Sequence, residues 1–174
     1  MAGRTERIVL VGLPGAGKST VGPILAVKLG WKFVDLDVEI ENASGRQIAE
    51  IFLEHGEAGF REIERELTLR LASETRLILA PGGGWVMNNS LPGALMIWLR
   101  VDPRTAYGRM GEGVDARPLL QPSPLAKLEE LLANREQYYE KADISIDTDG
   151  KTPTAVALEI IGTIKEENGN QEER

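Results

Sequence analysis

Residues 12–19, GLPGAGKS, match the pattern G-x-x-x-x-G-K-[ST], in which a glycine-rich loop wraps its backbone around nucleotide phosphates. Backbone N–H groups of such a loop point at phosphate oxygens, and the positive end of the following helix adds to the attraction. Lys18 would reach the β and γ phosphates, and the hydroxyl of Ser19 would ligate Mg²⁺. The chain is therefore predicted to bind a nucleoside triphosphate together with Mg²⁺.

Two carboxylates, Asp35 and Asp37, stand in VDLD at the end of a predicted strand. Residues two apart on a strand project from the same face, and ligands of parallel α/β sheets collect at the carboxyl ends of the strands. One carboxylate near Mg²⁺ and a second that orients an acceptor hydroxyl and takes its proton would divide the work of phosphoryl transfer. Taken alone, the pair also fits two solvated acids at a strand end.

Three arginines are candidates for binding an anionic group: Arg61 in GFREIERE, Arg117 in ARPLL and Arg135 in NREQYY. The planar fork of arginine grips a carboxylate with two hydrogen bonds, whereas lysine offers a point charge. Glu57 and Glu64 lie on the helical face of Arg61, so this residue alone also fits a surface ion-pair ladder. Arg117 and Arg135 indicate little by themselves.

Three consecutive glycines, Gly82, Gly83 and Gly84, follow the apolar run LILA almost directly. A turn at a strand end rarely needs three glycines, but a ligand that approaches the backbone closely does need residues without a Cβ. Both explanations remain open from the local sequence.

These residues lie between segments that alternate in pattern. Short apolar runs at 8–11, 32–36, 76–80, 94–99 and 144–147 predict five strands. Helical spacing predicts helices at 19–29, two in the stretch 44–73 broken at Gly56, one from 103 to 110 and a last one at 153–165, with a local distortion at Pro23. Strands alternating with helices indicate a parallel sheet covered on both faces. Residues 111–124 have two glycines, three prolines and little periodicity, which is typical of a functional lid.

Composition narrows the class of protein. With 174 residues we expect a single domain over residues 1–165 and a disordered tail at 166–174. The net charge of −7 disfavours nucleic acid as a partner, and the absence of cysteine excludes thiolate chemistry and disulfides. No apolar run approaches the ~20 residues that cross a bilayer, so we expect a cytoplasmic protein without a membrane partner. A guanine-reading N-K-x-D segment is missing, which disfavours a GTPase switch.

In order and over nearly the whole chain except the tail, these segments closely resemble the shikimate kinase family. The resemblance rests on GLPGAGKST, FVDLD, SGRQIAEIF with GEAGFREIE, GGG, RPLL and REQYYEKAD. It implies an α/β, three-layer P-loop kinase of the nucleoside monophosphate kinase type, with a five-stranded parallel sheet flanked by helices and a mobile lid. It further implies transfer of the γ-phosphoryl group of ATP to the 3-hydroxyl of shikimate, on the pathway to chorismate and the aromatic amino acids, by a protein that we expect to be a monomer.

The resemblance also implies a role for each matched residue. Asp37 would bind the acceptor hydroxyls and act as base, with Lys18 and Arg117 as further catalytic groups, and Asp35 and Ser19 would hold Mg²⁺. Arg61, held by Glu64, would bind shikimate together with Asp37, Arg135 and the glycines Gly82, Gly83 and Gly84. The predicted ATP-binding residues are Gly12, Leu13, Pro14, Gly15, Ala16, Gly17, Lys18, Ser19, Thr20, Arg109 and Arg117.

Two alternatives stay open at this point. A gluconate or nucleotide kinase of the same fold would share the phosphate loop but not the acceptor pocket. A related protein that binds ATP without catalysis would be expected to have lost some of the matched side chains, and Lys18, Asp37, Arg61 and Arg117 are all present.

Overall fold

The apolar runs form a single parallel sheet in the computed structural model, which describes residues 6–111 and 120–172. Its strands are β1 (Arg7–Val11), β2 (Lys32–Asp35), β3 (Leu77–Ala80), β4 (Leu95–Arg100) and β5 (Ile144–Asp147). They lie in the order β2-β3-β1-β4-β5, and every pairing is parallel. The predicted five-stranded parallel sheet is confirmed, with strand ends that differ from the prediction by no more than one residue.

The central strands are almost continuously apolar because both faces of the sheet are covered. All four residues of β3 are buried, and so are four of the five in β1. Continuous apolar runs of this kind are typical of parallel strands between two helical layers. The central strands β1 and β3 therefore commit nearly all of their side chains to the core.

Among the residues that the structure describes, six α-helices flank the sheet: α1 (Lys18–Leu29), α2 (Leu36–Ser44), α3 (Ile48–Leu71), α4 (Pro103–Met110), α5 (Pro124–Tyr139) and α6 (Pro153–Glu172). Helix α1 contacts β2, β3 and α6, while α6 also contacts β5. A short 3₁₀ turn, Trp85–Met87, follows the three glycines and packs against α5. Within the described part of the chain, no helix is long and apolar enough to cross a bilayer.

Helix α2 was not predicted, and it changes the setting of the two aspartates. Strand β2 ends at Asp35, whose carboxylate caps α2 by accepting hydrogen bonds from the backbone N–H groups of Asp37 and Val38, at 3.1 and 3.3 Å. Asp37 therefore lies in the first turn of a helix and not on the strand. The alternation expected from a strand was the wrong reason for placing the two carboxylates together, although both do line one cleft.

Helix α3 is broken at Gly56, as the sequence predicted. Gly56 has φ 66° and ψ −174°, a combination that is open essentially to glycine alone. The chain re-enters the helix beyond it and buries Phe60 and Leu67 in the core. The kink thus sets the direction of the second half of α3, which carries Arg61 and Glu64.

Two helices differ from simple expectation in where they continue. Helix α1 runs from Lys18 to Leu29 through Pro23, where a local distortion was predicted, and the preceding residue is Gly22, which has no Cβ to collide with the proline ring. Helix α6 continues to Glu172 and does not end at the predicted residue 165, so residues 166–172 are helical. The stretch includes Asn168, Gly169 and Asn170, which have low helix propensity, so this extension of the helix was not predictable from the local sequence.

The strand order determines which residues meet at the carboxyl edge of the sheet. Central β1 leads into the glycine-rich loop, its neighbour β3 leads into Gly82–Gly84, and the outer β2 ends at Asp35. On the other side β5 leads into Thr148. Loops that are far apart in sequence therefore lie side by side, with the glycine-rich loop in the middle.

Candidate active site

A cleft of about 970 Å³ runs along this carboxyl edge. It brings together most of the residues that the sequence analysis selected, namely Pro14, Gly15, Ala16, Gly17, Lys18, Ser19, Thr20, Asp35, Asp37, Arg61, Gly82, Gly83, Gly84, Arg109 and Arg135. Gly12 and Leu13 do not line the cleft, because Leu13 is buried in the core and Gly12 lies against the backbone of Leu99. Arg117 and most of the predicted lid lie outside the described residues.

The glycine-rich loop is held tightly against the fold. Gly15 has φ 80°, and a Cβ there would lie 2.5 Å from the carbonyl oxygen of Ala106 in α4, so no larger residue fits. The Nζ of Lys18 donates hydrogen bonds of 2.8 Å to the carbonyl oxygens of Gly12 and Leu13. Lys18 is only 9% exposed, so its charge lies at the floor of the cleft. Helix α1 begins at this lysine and directs its positive end into the same space.

Ser19 and Asp35 form the next pair along the cleft. The Oγ of Ser19 donates a hydrogen bond of 2.5 Å to Oδ2 of Asp35. The other carboxylate oxygen of Asp35 is occupied by capping α2. This arrangement fixes the direction of the carboxylate and sets a hydroxyl and a carboxylate oxygen side by side beside the loop.

The three glycines leave room for charged side chains of the protein itself. A Cβ on Gly82 would lie 3.3 Å from Oδ1 of Asp37, and a Cβ on Gly83 would lie 2.7 Å from Nη1 of Arg135. A Cβ on Gly84 would lie 2.4 Å from Nη2 of Arg61 and 3.2 Å from Nη2 of Arg135. None of the three glycines has a positive φ, so the backbone conformation does not require glycine here. Glycine fits these positions because charged side chains approach the backbone closely. The guanidinium groups of Arg61 and Arg135 meet above Gly84.

Glu64 anchors Arg61 from within the protein. Its side chain is completely buried, and its Oε2 accepts a 2.9 Å hydrogen bond from Nη1 of Arg61 and a 3.2 Å bond from Nδ2 of Asn89. Burial raises the pKa of the Glu64 carboxyl, and the nearby Arg61 charge opposes that rise. The contact of Arg61 with Glu57, at 3.4 Å, is on the exposed side. The expected surface ion-pair ladder is therefore half buried, because Glu64 lies in the interior and Glu57 is exposed.

Tyr139 holds the glycine segment from the other side. Its hydroxyl donates a 2.8 Å hydrogen bond to the carbonyl oxygen of Gly83, and its ring stacks on Trp98 with centroids 5.7 Å apart. Burial raises the pKa of Tyr139, so the phenol remains a neutral donor. Arg135 and Tyr139 are four residues apart on α5 and therefore share a helical face. One helix thus places a cation above the glycines and fixes their backbone.

Arg109 lies at the opposite end of the cleft. Its guanidinium donates to the hydroxyl and carbonyl oxygens of Thr148, at 2.9 and 2.6 Å, and reaches the carbonyl of Ala16 at 3.4 Å. The Thr148 hydroxyl in turn donates to the carbonyl oxygen of Arg100. These bonds hold the guanidinium plane at the side of the glycine-rich loop away from Asp37.

Three residues that organise the site were not predicted from the sequence: Asn89, Tyr139 and Thr148. Tyr139 could have been found from its four-residue spacing to Arg135, and Thr148 from its position just beyond β5. Asn89 had no local signal, because its contact with Glu64 joins residues that are distant in the chain. Among the described residues the buried polar side chains are Lys18, Glu64, Thr68, Arg135 and Thr148, and four of them belong to the contacts described above.

Comparisons with known proteins agree on one family. The family model for shikimate kinase matches residues 14–165. A shikimate kinase from Moorella thermoacetica is 46% identical over 163 residues, which cover 91% of this chain and 94% of the relative. A shikimate kinase from Persephonella marina is 40% identical over 92% of this chain and 99% of the relative.

Solved structures give the same result. The shikimate kinase from Acinetobacter baumannii in complex with shikimate superposes with a TM-score of 0.87 at 35% identity, covering 94% of each chain. A deoxyadenosine kinase from M. mycoides with bound dATP, at 18% identity and a TM-score of 0.63, shares the fold alone. The matched family model and the extent of the similarity show that the chain belongs to the shikimate kinase family.

Proposed function

We propose that this protein transfers the γ-phosphoryl group of ATP to the 3-hydroxyl of shikimate, giving shikimate 3-phosphate and ADP. The observation that carries the proposal is the meeting of Arg61 and Arg135 above Gly84, next to Asp37 and beside the glycine-rich loop. Shikimate has one carboxylate and three hydroxyls on a small ring. A pocket with two arginines and one aspartate complements such a molecule in both charge and hydrogen bonding.

Arg61 and Arg135 bind the carboxylate of the acceptor in this proposal. Both guanidinium groups are positioned by the protein before the ligand arrives, Arg61 by Glu64 and Arg135 by its burial beside Gly83. Such preorganisation reduces the entropy lost on binding and fixes the orientation of the ring. The backbone of Gly82–Gly84 completes the wall of this acceptor site.

Asp37 orients the acceptor hydroxyl and receives its proton. As the oxygen forms its bond to the γ-phosphorus, the bond from that phosphorus to the β–γ bridging oxygen breaks, and ADP leaves. Transfer passes through a loose transition state in which positioning and charge neutralisation contribute most. Lys18 supplies positive charge at the floor of the cleft, and the N–H groups from Gly15 to Thr20 surround the phosphates. Arg117, by the family resemblance, adds a further cation.

Ser19 and Asp35 are the residues that would hold Mg²⁺. Mg²⁺ prefers oxygen ligands and is usually bound through one or two protein groups together with substrate phosphates. The adjacent Ser19 hydroxyl and Asp35 carboxylate fit that requirement, and the described residues contain no larger cluster of metal-binding side chains. The ion would neutralise charge on the β and γ phosphates.

The adenine end of the cleft is formed by Arg109, Thr148 and Pro153. The guanidinium plane of Arg109 is fixed by its bonds to Thr148, so one of its faces is presented as a surface on which a base can stack. Binding of ATP at this end places its γ-phosphate toward Asp37, because the glycine-rich loop lies between the two. The protein is proposed to act as a monomer.

The test is Mg²⁺-dependent release of ADP from ATP by the purified protein, with shikimate, quinate, gluconate, AMP or no acceptor. Stimulation by shikimate well above the other acceptors is expected. Stimulation by gluconate or AMP instead would support another kinase of this fold. A rate that no acceptor changes would support a protein that binds ATP without phosphorylating a small molecule.

A further inference from the structure

The segment after the glycines contacts the helix that carries Arg61 at two points. The indole Nε1 of Trp85 donates a 2.9 Å hydrogen bond to Oγ1 of Thr68, which itself donates to the carbonyl oxygen of Glu64 at 2.8 Å. Four residues beyond Trp85, the side-chain amide of Asn89 reaches the carboxylate of Glu64 at 3.2 Å. Glu64 and Thr68 are one helical turn apart and both are buried. This segment therefore holds one turn of α3 through both its backbone and its side chain.

The carboxylate of Glu64 has few hydrogen-bond donors. Its Oε2 accepts from Arg61 and Asn89, and its Oε1 has no partner among residues 6–111 and 120–172. An ionised carboxylate only accepts hydrogen bonds, so the amide nitrogen of Asn89, and not its oxygen, faces Glu64. A fully buried carboxylate with two donors depends strongly on each of them, since hydrogen bonds to charged groups are the stronger class.

We propose that Asn89 is a positioning residue for the acceptor site: its amide holds the buried carboxylate of Glu64, and through it the guanidinium of Arg61, in the orientation that grips the acceptor carboxylate. The inference rests on the proposed function, because it assigns Arg61 to the acceptor. Asn89 does not itself reach the cleft, since it is absent from the cleft lining while Arg61 is part of it. Its effect passes through Glu64.

Because Glu64 can gain or lose a proton, the proposed role of Asn89 predicts a specific pH dependence of the acceptor KM. The charged groups that act on it are Arg61 on its own helix, which lowers its pKa, and Asp37 on α2, which raises it, while Asn89 lowers it by donating a hydrogen bond. Loss of the Asn89 donor favours the protonated form of Glu64, which no longer pairs with Arg61. In Asn89→Leu the acceptor KM is therefore expected to be raised most at low pH and to improve as pH rises.

Asn89→Asp keeps the shape of the asparagine side chain. Its acceptor KM is expected to depend on pH in the direction opposite to that of Asn89→Leu. At low pH the two carboxyl groups share a proton, so Asp at this position donates to Glu64 as the amide did. As pH rises both groups ionise and repel each other, because like charges at this distance cannot both be accommodated in a buried site. The acceptor KM of this variant is expected to rise with pH.

The experiment measures KM for shikimate and for ATP, with kcat, across the pH range in which the proteins stay folded. Wild type, Asn89→Leu, Asn89→Asp and the control Asn88→Leu, at an exposed neighbouring site, are compared. We expect the acceptor KM to rise about tenfold at the unfavourable pH and the KM for ATP to change little. The slopes of the acceptor KM against pH are expected to have opposite signs in the two Asn89 variants. Slopes of the same sign, or equal effects on both substrates, would overturn the role of Asn89. Asn89→Ala replaces the leucine variant if that variant does not fold.

A second measurement needs no shikimate. The free energy of unfolding of wild type and Asn89→Leu is followed against pH, each with Glu64 and with Glu64→Gln. A higher pKa of Glu64 in the folded state makes Asn89→Leu lose stability relative to wild type as pH rises, and this loss is expected to vanish when residue 64 is glutamine. A loss that persists with glutamine would contradict the coupling. If wild type failed to phosphorylate shikimate, the proposed function would be wrong, and this measurement would still decide the link between Asn89 and Glu64.

Discussion

The guanidinium of Arg61 occupies the space in which a Cβ at position 84 would lie, and residue 84 is a glycine. A Cβ built on Gly84 would lie 2.4 Å from Nη2 of Arg61, closer than nonbonded atoms approach. Arg61 is only 15% exposed and is tied to buried Glu64, so its guanidinium has little freedom to move away. The glycine is therefore required by the position of the arginine.

Gly84→Ala is expected to displace Arg61 and raise the acceptor KM by about tenfold or more, because the charge-assisted hydrogen bonds from Arg61 to the acceptor carboxylate are lost. The KM for ATP should change less than about twofold, since the atoms nearest to the added Cβ belong to Arg61 and Arg135 and not to the glycine-rich loop. Gly162→Ala is the control, because a Cβ there meets open space on α6. Steady-state kinetics in both substrates check this, and an unchanged acceptor KM would remove Gly84 from the site.

Tyr139→Phe removes the hydroxyl that holds the carbonyl of Gly83 while keeping the ring stacked on Trp98. The half-buried carbonyl loses this partner, so the fold is expected to lose about 1 kcal/mol of unfolding free energy, and the acceptor KM to rise a fewfold. Tyr138→Phe is the matched control, since it makes the same change at the neighbouring position. Chemical denaturation and kinetics of the two variants measure the difference; equal behaviour of both would show that the hydroxyl of Tyr139 does not matter.

Asp37→Asn keeps the shape of the side chain but cannot accept the proton of the acceptor hydroxyl. Turnover is expected to fall by about 10²-fold or more, while ATP binding stays almost intact. Glu39→Gln changes an exposed carboxylate in the same helical turn and serves as the control. ATP binding by calorimetry and turnover by ADP release test this. Turnover within a fewfold of wild type would exclude Asp37 as the base.

The pKa of Glu64 predicts how stability depends on pH. Burial raises this pKa above its ordinary value of 4.5, so between that value and the raised one the folded protein binds more protons than the unfolded chain. The unfolding free energy contributed by Glu64 therefore falls as pH rises through this window. Wild type should lose stability relative to Glu64→Gln as pH rises from about 4.5, and the difference should then level off. Denaturation of both proteins over a pH series measures it; a difference that grows in favour of wild type would mean that Arg61 outweighs burial.

The fold was predictable because its signals are local. Each strand is a short apolar run, the glycine-rich loop follows β1 directly, and Gly56 marks the kink within α3. Helix α2 was missed because it follows β2 without a connecting loop. Asp35 both ends the strand and caps the helix, so the acidic pair was interpreted as part of the strand.

The site was predictable only in part, because its charges meet through long-range contacts. The resemblance selected Arg61, Arg135 and the three glycines, but nothing in the sequence shows that the arginines occupy the space that the glycines leave. The expectation was that a ligand alone would use that space. The bonds from Asn89 to Glu64 and from Tyr139 to Gly83 join residues 25 and 56 positions apart, and such pairs depend on the order of the strands.

The most direct test of the acceptor site compares kcat/KM for shikimate with kcat/KM for its methyl ester, using wild-type protein. The ester keeps the ring and the hydroxyls but removes the negative charge that Arg61 and Arg135 are proposed to grip. A loss of about 10²-fold or more, with an unchanged KM for ATP, is the predicted result, because two charge-assisted hydrogen-bonding partners lose their anion. Equal kcat/KM values for the two acceptors would contradict the assignment of this pocket to the shikimate carboxylate.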